Sequence, residues 1–365
     1  MAGVYLSFPF CSQKCSFCNF ASGVQPIGTE AEYYQALLAE IRSHEWRWTP
    51  ETIYLGGGTP SQMDLPSLET ILAAVPGKPW HEATLEAAPG SLTEERVAVW
   101  SQLGINRVSL GVQSFVQKEL AKTGRKHNSG VVASDVAMLR RHGIDNFNID
   151  LIAGLPFQTR ESWNESLDWI ERLQPPHVSV YLFEIDEDSR LGLEILNNGS
   201  RYSARDLPDE DLTTELYETA VDRLAALGIP RYEISNFAAP GRESLHNLKY
   251  WLLQPYAGFG ADAHSFDGVD RASNVESLSD YLDRWRKGLS PAAEHSRAHP
   301  EEERFFVGLR LTAGIELNQD EWRRHDKSIN RFLEAGLLER SGSRLRLTRQ
   351  GVLLSNEVFQ EFVNS

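Results

Sequence analysis

The sequence predicts an α/β fold: a partial (β/α)6 barrel of the TIM type, followed by a small C-terminal α+β module of winged-helix character. Three observations predict it. Short apolar, β-branched runs recur six times in residues 1–230, at 4–7, 52–55, 84–87, 107–111, 146–152 and 178–183. An amphipathic helical stretch follows each run, which makes the strands parallel. From Pro300 the order changes to helix, helix, hairpin, helix.

The helices carry their own signals. Thr29 with Glu32 reads as a capping box, and Tyr33, Leu37 and Ile41 then recur on one face. Residues 65–75, 93–103 and 130–142 repeat the pattern, and 161–173 stops before Pro175 and Pro176. Residues 209–227 carry Leu212, Leu216, Ala220 and Leu224, with Gly228 placed to cap the end. Strands of such a sheet are expected to be apolar throughout, as 178–183 nearly is. Residues 231–299 read as a connecting region with a strand-like piece at 231–234, glycines at 258 and 260, and two loosely helical segments. The module at 300–365 has helices at 301–311, 319–325 and 329–334, strands at 337–340 and 344–347, and a last helix at 352–362.

Composition excludes several classes. The chain has 365 residues, 41% hydrophobic and 24% charged, which is neither collagen, disulfide scaffold nor disordered chain. Its net charge of −15 argues against nucleic acid, whose binding depends on neutralising phosphates. The C-terminal module is no exception, with ten basic against eleven acidic residues. No apolar run approaches the roughly 20 residues of a membrane helix. The opening lacks a basic segment, so no secretory signal and a cytoplasmic location are expected.

The three cysteines, Cys11, Cys15 and Cys18, follow the first strand directly. Three thiolates on one short loop can turn toward one soft metal centre. A structural zinc site closes with four ligands, and the nearest candidate fourth, His44, lies in the first helix. An iron–sulfur cube takes four thiolates, so three would leave one iron open. Chance apolar cysteines, a zinc site completed by a distant histidine, and an open cluster are the three readings.

Ligand-binding residues of a βα barrel sit at the carboxyl ends of its strands. Strand 2 ends in Gly56-Gly57-Gly58-Thr59-Pro60, where glycines let backbone approach a ligand. Strand 3 ends at Glu86, strand 4 at Gly111-Val112-Gln113-Ser114 with Arg125 beyond, and strand 5 contains Asp150. A carboxylate inside an apolar run needs a partner. Either Glu86, Asp150 and Arg125 pair with one another, or they hold a ligand, Arg125 suiting a carboxylate by its planar fork.

The C-x3-C-x2-C loop, with Phe17 between its last two cysteines and Pro9-Phe10 before it, resembles the radical S-adenosylmethionine (SAM) superfamily. The resemblance implies a [4Fe-4S] cluster on Cys11, Cys15 and Cys18 whose open iron chelates SAM. Phe8-Pro9-Phe10-Cys11, Gly56-Gly57-Gly58-Thr59-Pro60, Gly111-Val112-Gln113-Ser114-Phe115 and the run from Asp150 to Pro156, in that order, are similar to the oxygen-independent coproporphyrinogen III oxidase group and its heme-chaperone relatives, the HemW proteins. That likeness spans nearly the whole chain. It places Tyr5, Gly57, Gly58, Thr59, Glu86, Gln113, Arg125 and Asp150 at SAM-contacting positions, with Glu184 added after strand 6.

Three departures favour the chaperones over the oxidases. Phe20 stands where the oxidases have a fourth cysteine, ten residues precede Cys11, and His246-Asn247-Leu248-Lys249-Tyr250-Trp251 matches the HNxxYW motif of the chaperones. The resemblance associates that motif with heme. A neutral imidazole ligates heme iron, and Tyr250 and Trp251 suit a flat macrocycle. The alternative is a hydrogen-bonded structural histidine with Tyr250 and Trp251 as core. His264, beyond Gly258 and Gly260, is a second candidate. Two functions are therefore implied. One is a chaperone that binds heme, cluster and SAM and passes heme to acceptor hemoproteins. The other is an oxidase that converts coproporphyrinogen III to protoporphyrinogen IX. A flavodoxin or ferredoxin electron donor is implied for either.

Overall fold

A computed structural model describes residues 2–13, 21–183, 189–197, 199, 203 and 205–363. Each of the six apolar runs forms a strand: β1 (Ala2–Phe8), β2 (Pro50–Gly57), β3 (Glu82–Ala87), β4 (Arg107–Gln113), β5 (Asn146–Ala153) and β6 (His177–Leu182). They pair in sequence order, all parallel. Helices Thr29–Ser43, Leu65–Ala74, Glu94–Leu103, Ser129–Arg141, Arg160–Leu173 and Glu210–Ala226 lie among them. Of these helices, four begin at polar side chains that accept a first-turn N–H: Asp64, Thr93, Asn128 and Asp209. Thr159 does the same within a full capping box. The expected box at Thr29 is not formed. Gly28, at φ +92°, takes the cap position without a side-chain bond, and Glu32 instead binds Arg286 at 2.6 and 2.7 Å.

The strands are not apolar throughout. Register aligns Leu6, Leu55, Leu85, Val108 and Phe147 across β1 to β5, all buried. The intervening row carries Tyr5, Tyr54, Thr84 and Glu86, Ser109, Asn148 and Asp150, then Ser179. One face thus packs on helices while the other lines a polar lumen, and strict alternation replaces the expected apolar run. The sheet curls so that Glu86 of β3 and Tyr181 of β6 line one cavity.

Residues 231–299 contribute strands to the same sheet. β7 (Asn236–Ala238) pairs antiparallel with β6. β8 (Tyr256–Phe259) adds to the other side, parallel to β1, and β9 (His264–Phe266), β10 (Asp270–Asn274) and β11 (Ala292–Arg297) extend it antiparallel. Among the described residues the sheet therefore has eleven strands, with β11 and β7 at its edges. The expected strand at 231–234 makes isolated bridges instead, Arg231 to Phe237 and Glu233 to Leu311. The short helix Leu245–Trp251 packs against β1 and β2.

The C-terminal module holds helices Pro300–Gly308, Gln319–Arg324 and Asp326–Glu334 and a three-stranded sheet of β12 (Ile315–Glu316), β13 (Leu338–Ser341) and β14 (Arg344–Leu347), in the order β12-β14-β13. The last expected helix is two, Arg349–Leu353 and Ser355–Val363. Phe305 stacks on Phe362 at 4.9 Å between ring centroids, and one continuous apolar core runs from the barrel into the module. Among the described residues, no helix is long and apolar enough to cross a membrane.

Candidate functional site

A cavity of about 510 Å³ opens at the carboxyl ends of the parallel strands. Its wall includes Cys11, Gly57, Gly58, Thr59, Glu86, Gln113, Arg125 and Asp150. The structure thus brings together one cysteine and seven of the eight expected SAM positions. The eighth, Tyr5, stands below in the lumen, stacked on Tyr54 with ring centroids 6.1 Å apart. Cys15, Cys18, Phe17, Phe20 and Glu184 lie outside the described residues.

Backbone contacts explain the glycines. The Gly58 amide donates to the Phe8 carbonyl at 2.7 Å and the Thr59 amide to the Phe10 carbonyl at 2.8 Å. A Cβ on Gly58 would collide with the Phe10 backbone. Gly57 adopts φ +108°, which lets its amide donate to Glu86 Oε2 at 3.1 Å. The β2 turn thereby clasps the start of the cysteine loop. Cys11 is held further by its own amide on the Gly23 carbonyl at 3.0 Å and by Sγ near Ser22 Oγ at 3.7 Å.

Two carboxylates face the cavity. Tyr54 donates its hydroxyl to Glu86 Oε1 at 2.8 Å. Burial pushes the Glu86 carboxyl up to about 7, the nearby Asp150 adds to the rise, and the Tyr54 and Gly57 donors oppose it. Burial also raises Asp150, which accepts from Asn148 Nδ2 at 2.6 Å and Ser109 Oγ at 3.3 Å. The anticipated pairing with Arg125 is not what braces them. Arg125 donates Nη1 to the Gly111 carbonyl at 2.9 Å, and the cation acting on both carboxylates is Arg107, 2% exposed in the lumen. Arg107 lies 3.9 Å from Glu82, which is equally buried.

The wall fits a zwitterionic ligand with hydroxyls. Desolvated carboxylates attract an ammonium or hydroxyl donors. Among the described residues, the buried Arg125 Nε has no hydrogen-bond partner. Gly57 and Gly58 present backbone without a side chain in the way. Sequence reasoning missed Arg107, Tyr181, Lys126 and His127, of which the last three also line the cavity. An arginine opening an otherwise apolar strand was the available signal for Arg107. His127 bonds the Val112 carbonyl at 3.1 Å, and burial pushes its imidazole down to about 4, so it stays neutral near pH 7.

The HNxxYW residues lie at the opposite end of the lumen. His246 is 1% exposed. Its Nδ1 is 2.9 Å from Thr52 Oγ1 and its Nε2 2.8 Å from the Tyr250 hydroxyl. Both ring nitrogens are engaged. Trp251 packs under Arg310, whose guanidinium carbon is 4.5 Å from the ring centroid. His264 is exposed on β9, and His44 packs edge-on against Trp46 and Phe259.

Comparison with known proteins agrees with this geometry. Residues 5–170 match the radical SAM superfamily and residues 296–354 the HemN C-terminal domain. The heme chaperone HemW of Lactococcus lactis is 34% identical over 98% of this chain and 96% of its own. HemW of Bacillus subtilis is 34% identical over 100% and 99%. The solved structure of coproporphyrinogen III oxidase (HemN) from Escherichia coli, a radical SAM enzyme, covers 99% of this chain and 89% of its own at a TM-score of 0.84. At 20% identity that match establishes the fold, a radical SAM barrel.

Proposed function

Because the chain belongs to the HemW family of radical SAM proteins, we propose that it is a heme chaperone. It binds heme, a [4Fe-4S] cluster and SAM, and delivers heme to acceptor hemoproteins in the cytoplasm. The observation that carries this reading is the 34% identity to heme chaperones along the whole chain.

The cavity supports the cofactor part. Cys11 at its rim, with Cys15 and Cys18 of the same loop, would hold the cluster. Glu86 and the backbone of Gly57, Gly58 and Thr59 would take the SAM ammonium. Gln113 and Asp150 would take ribose hydroxyls, and Arg125, whose Nε has no partner among the described residues, the carboxylate. Tyr5 acts from behind, through its stacking on Tyr54. A cluster held by these cysteines would supply one-electron chemistry to SAM, with a flavodoxin or ferredoxin as the electron donor. The protein's share is to orient the ligand and exclude water.

Anaerobic reconstitution tests the proposal. About four irons and matching sulfide per chain are expected, lost on replacing Cys11, Cys15 or Cys18. SAM should bind, heme titration should shift the Soret band, and the loaded protein should activate an apo-hemoprotein. One zinc without sulfide, or no Soret shift, overturns the reading. Sustained conversion of coproporphyrinogen III to protoporphyrinogen IX would replace it with the oxidase.

A further inference from the structure

The HNxxYW helix is tied to the cavity by a continuous chain of contacts through the lumen. His246 bonds Thr52 on β2 and Tyr250 on its own helix. Its ring lies against Tyr54, with centroids 5.3 Å apart. Tyr54, two residues beyond Thr52, donates to Glu86 Oε1, and Glu86 Oε2 accepts from Gly57. The floor of the barrel is shaped around this histidine. A Cβ on Gly3 of β1 would lie 3.1 Å from the His246 ring and 2.9 Å from Thr52 Oγ1, so β1 carries a glycine where the motif enters. Glu82 fixes the helix start, accepting from the Leu245 and His246 amides at 3.0 and 2.9 Å.

We infer that His246 is a positioning residue for the SAM-site carboxylate: with Thr52 and Tyr250 it holds Tyr54, and Tyr54 holds Glu86. The inference rests on the reading that Glu86 binds SAM. Turning His246 toward a heme iron would leave the Thr52 hydroxyl and the Tyr250 hydroxyl without their partner inside the barrel, a costly exchange. Burial beside Lys249 and Arg107 pushes the imidazole down to about 3. It is therefore neutral at physiological pH and keeps one donor and one acceptor for its two partners.

Other groups act on Glu86 from around the lumen. Asp150 on β5 disfavours its charge, while Arg107 on β4 favours it. Tyr5 on β1, Tyr181 on β6 and Tyr250 on the motif helix are close enough to feel the Glu86 charge. None of these changes in the variants below.

The experiment titrates cluster-loaded protein with SAM across about pH 6 to 9, and separately with heme, for wild type, Tyr54→Phe, His246→Ala, His246→Gln and the Tyr54→Phe/His246→Ala double variant. A lost hydrogen bond to a charged group predicts that Tyr54→Phe and His246→Ala each weaken SAM binding about tenfold. Each should also move the pH midpoint of SAM binding upward, because the donor that stabilises the Glu86 carboxylate is lost or displaced. The double variant should be no weaker than the weaker single one. His246→Gln, which can bridge Thr52 and Tyr250, should recover most of the binding. Heme binding should change less than about twofold throughout. Loss of the heme Soret shift in His246→Ala with SAM binding intact overturns the inference. So do additive effects in the double variant. If His246→Ala does not fold, Tyr54→Phe and His246→Gln decide, and unaltered SAM affinity and pH midpoint in Tyr54→Phe overturn it. Wild-type protein that takes up no SAM overturns the parent reading and this inference together.

Discussion

Glu86 concentrates the chemistry of the site at the scale of a single side chain. Burial raises its carboxyl from 4.5 to about 7. An acid whose pKa is higher folded than unfolded binds its proton more tightly in the folded state. Its contribution to stability therefore declines as pH rises from about 4.5 to about 7 and stays low above that. Glu86→Gln should accordingly stabilise the ligand-free protein by about 1 kcal/mol at pH 8, solvent in the cavity screening the rest, and by nothing near pH 4. Urea melts at the two pH values check this, and an equal effect at both contradicts it. The same variant should lose SAM binding. Glu86 was legible as a cavity residue because it closes an apolar run just before Pro89, and Cys11 because three thiols fall on one loop. Arg107 was not, because its role depends on Glu82 and on carboxylates that other strands bring into the lumen.

The helix Leu245–Trp251 has seven residues, too short to be stable by itself. Glu82 makes it persist by accepting the Leu245 and His246 amides, with Ser244 Oγ at 3.4 Å, while facing Arg107. Glu82→Ala removes the ion-pair partner of a guanidinium that is 2% exposed and should cost about 3 kcal/mol in urea unfolding. A loss under about 1 kcal/mol would show that the pair does not hold the barrel floor. Elements of this kind are poorly written in the sequence. β1 to β6 announce themselves through β-branched runs, whereas β8 to β10 have three to five residues each and polar stretches such as Asp270–Asn274. They are strands because β1 offers its free edge to β8, a pairing across 250 residues of chain that no local window contains.

Across the whole molecule, barrel and C-terminal module share one apolar core, so the two should unfold together. Among the contacts that join them are a cation–π contact and a set of ion pairs. Trp251 lies beneath Arg310, which also approaches Glu233 at 4.0 Å. Arg349 reaches Glu218 at 2.8 Å and Asp222 at 2.9 Å on the helix Glu210–Ala226. The ion pairs of Arg349 are half exposed and worth little, whereas Trp251 contributes ring area and a partly desolvated cation–π contact. Trp251→Ala should therefore cost about 3 kcal/mol, and Arg349→Ala less than about 1 kcal/mol. Calorimetry should give one cooperative transition for wild type, because no gap in the core separates the two parts. Two resolved transitions, or a larger loss from Arg349→Ala than from Trp251→Ala, would mean that surface charge rather than the shared core docks the module. The order of helices and hairpin in the sequence was enough to recognise that module. Its contact with a tryptophan of the HNxxYW motif was not, since Trp251 and Arg310 meet only once the barrel floor has closed.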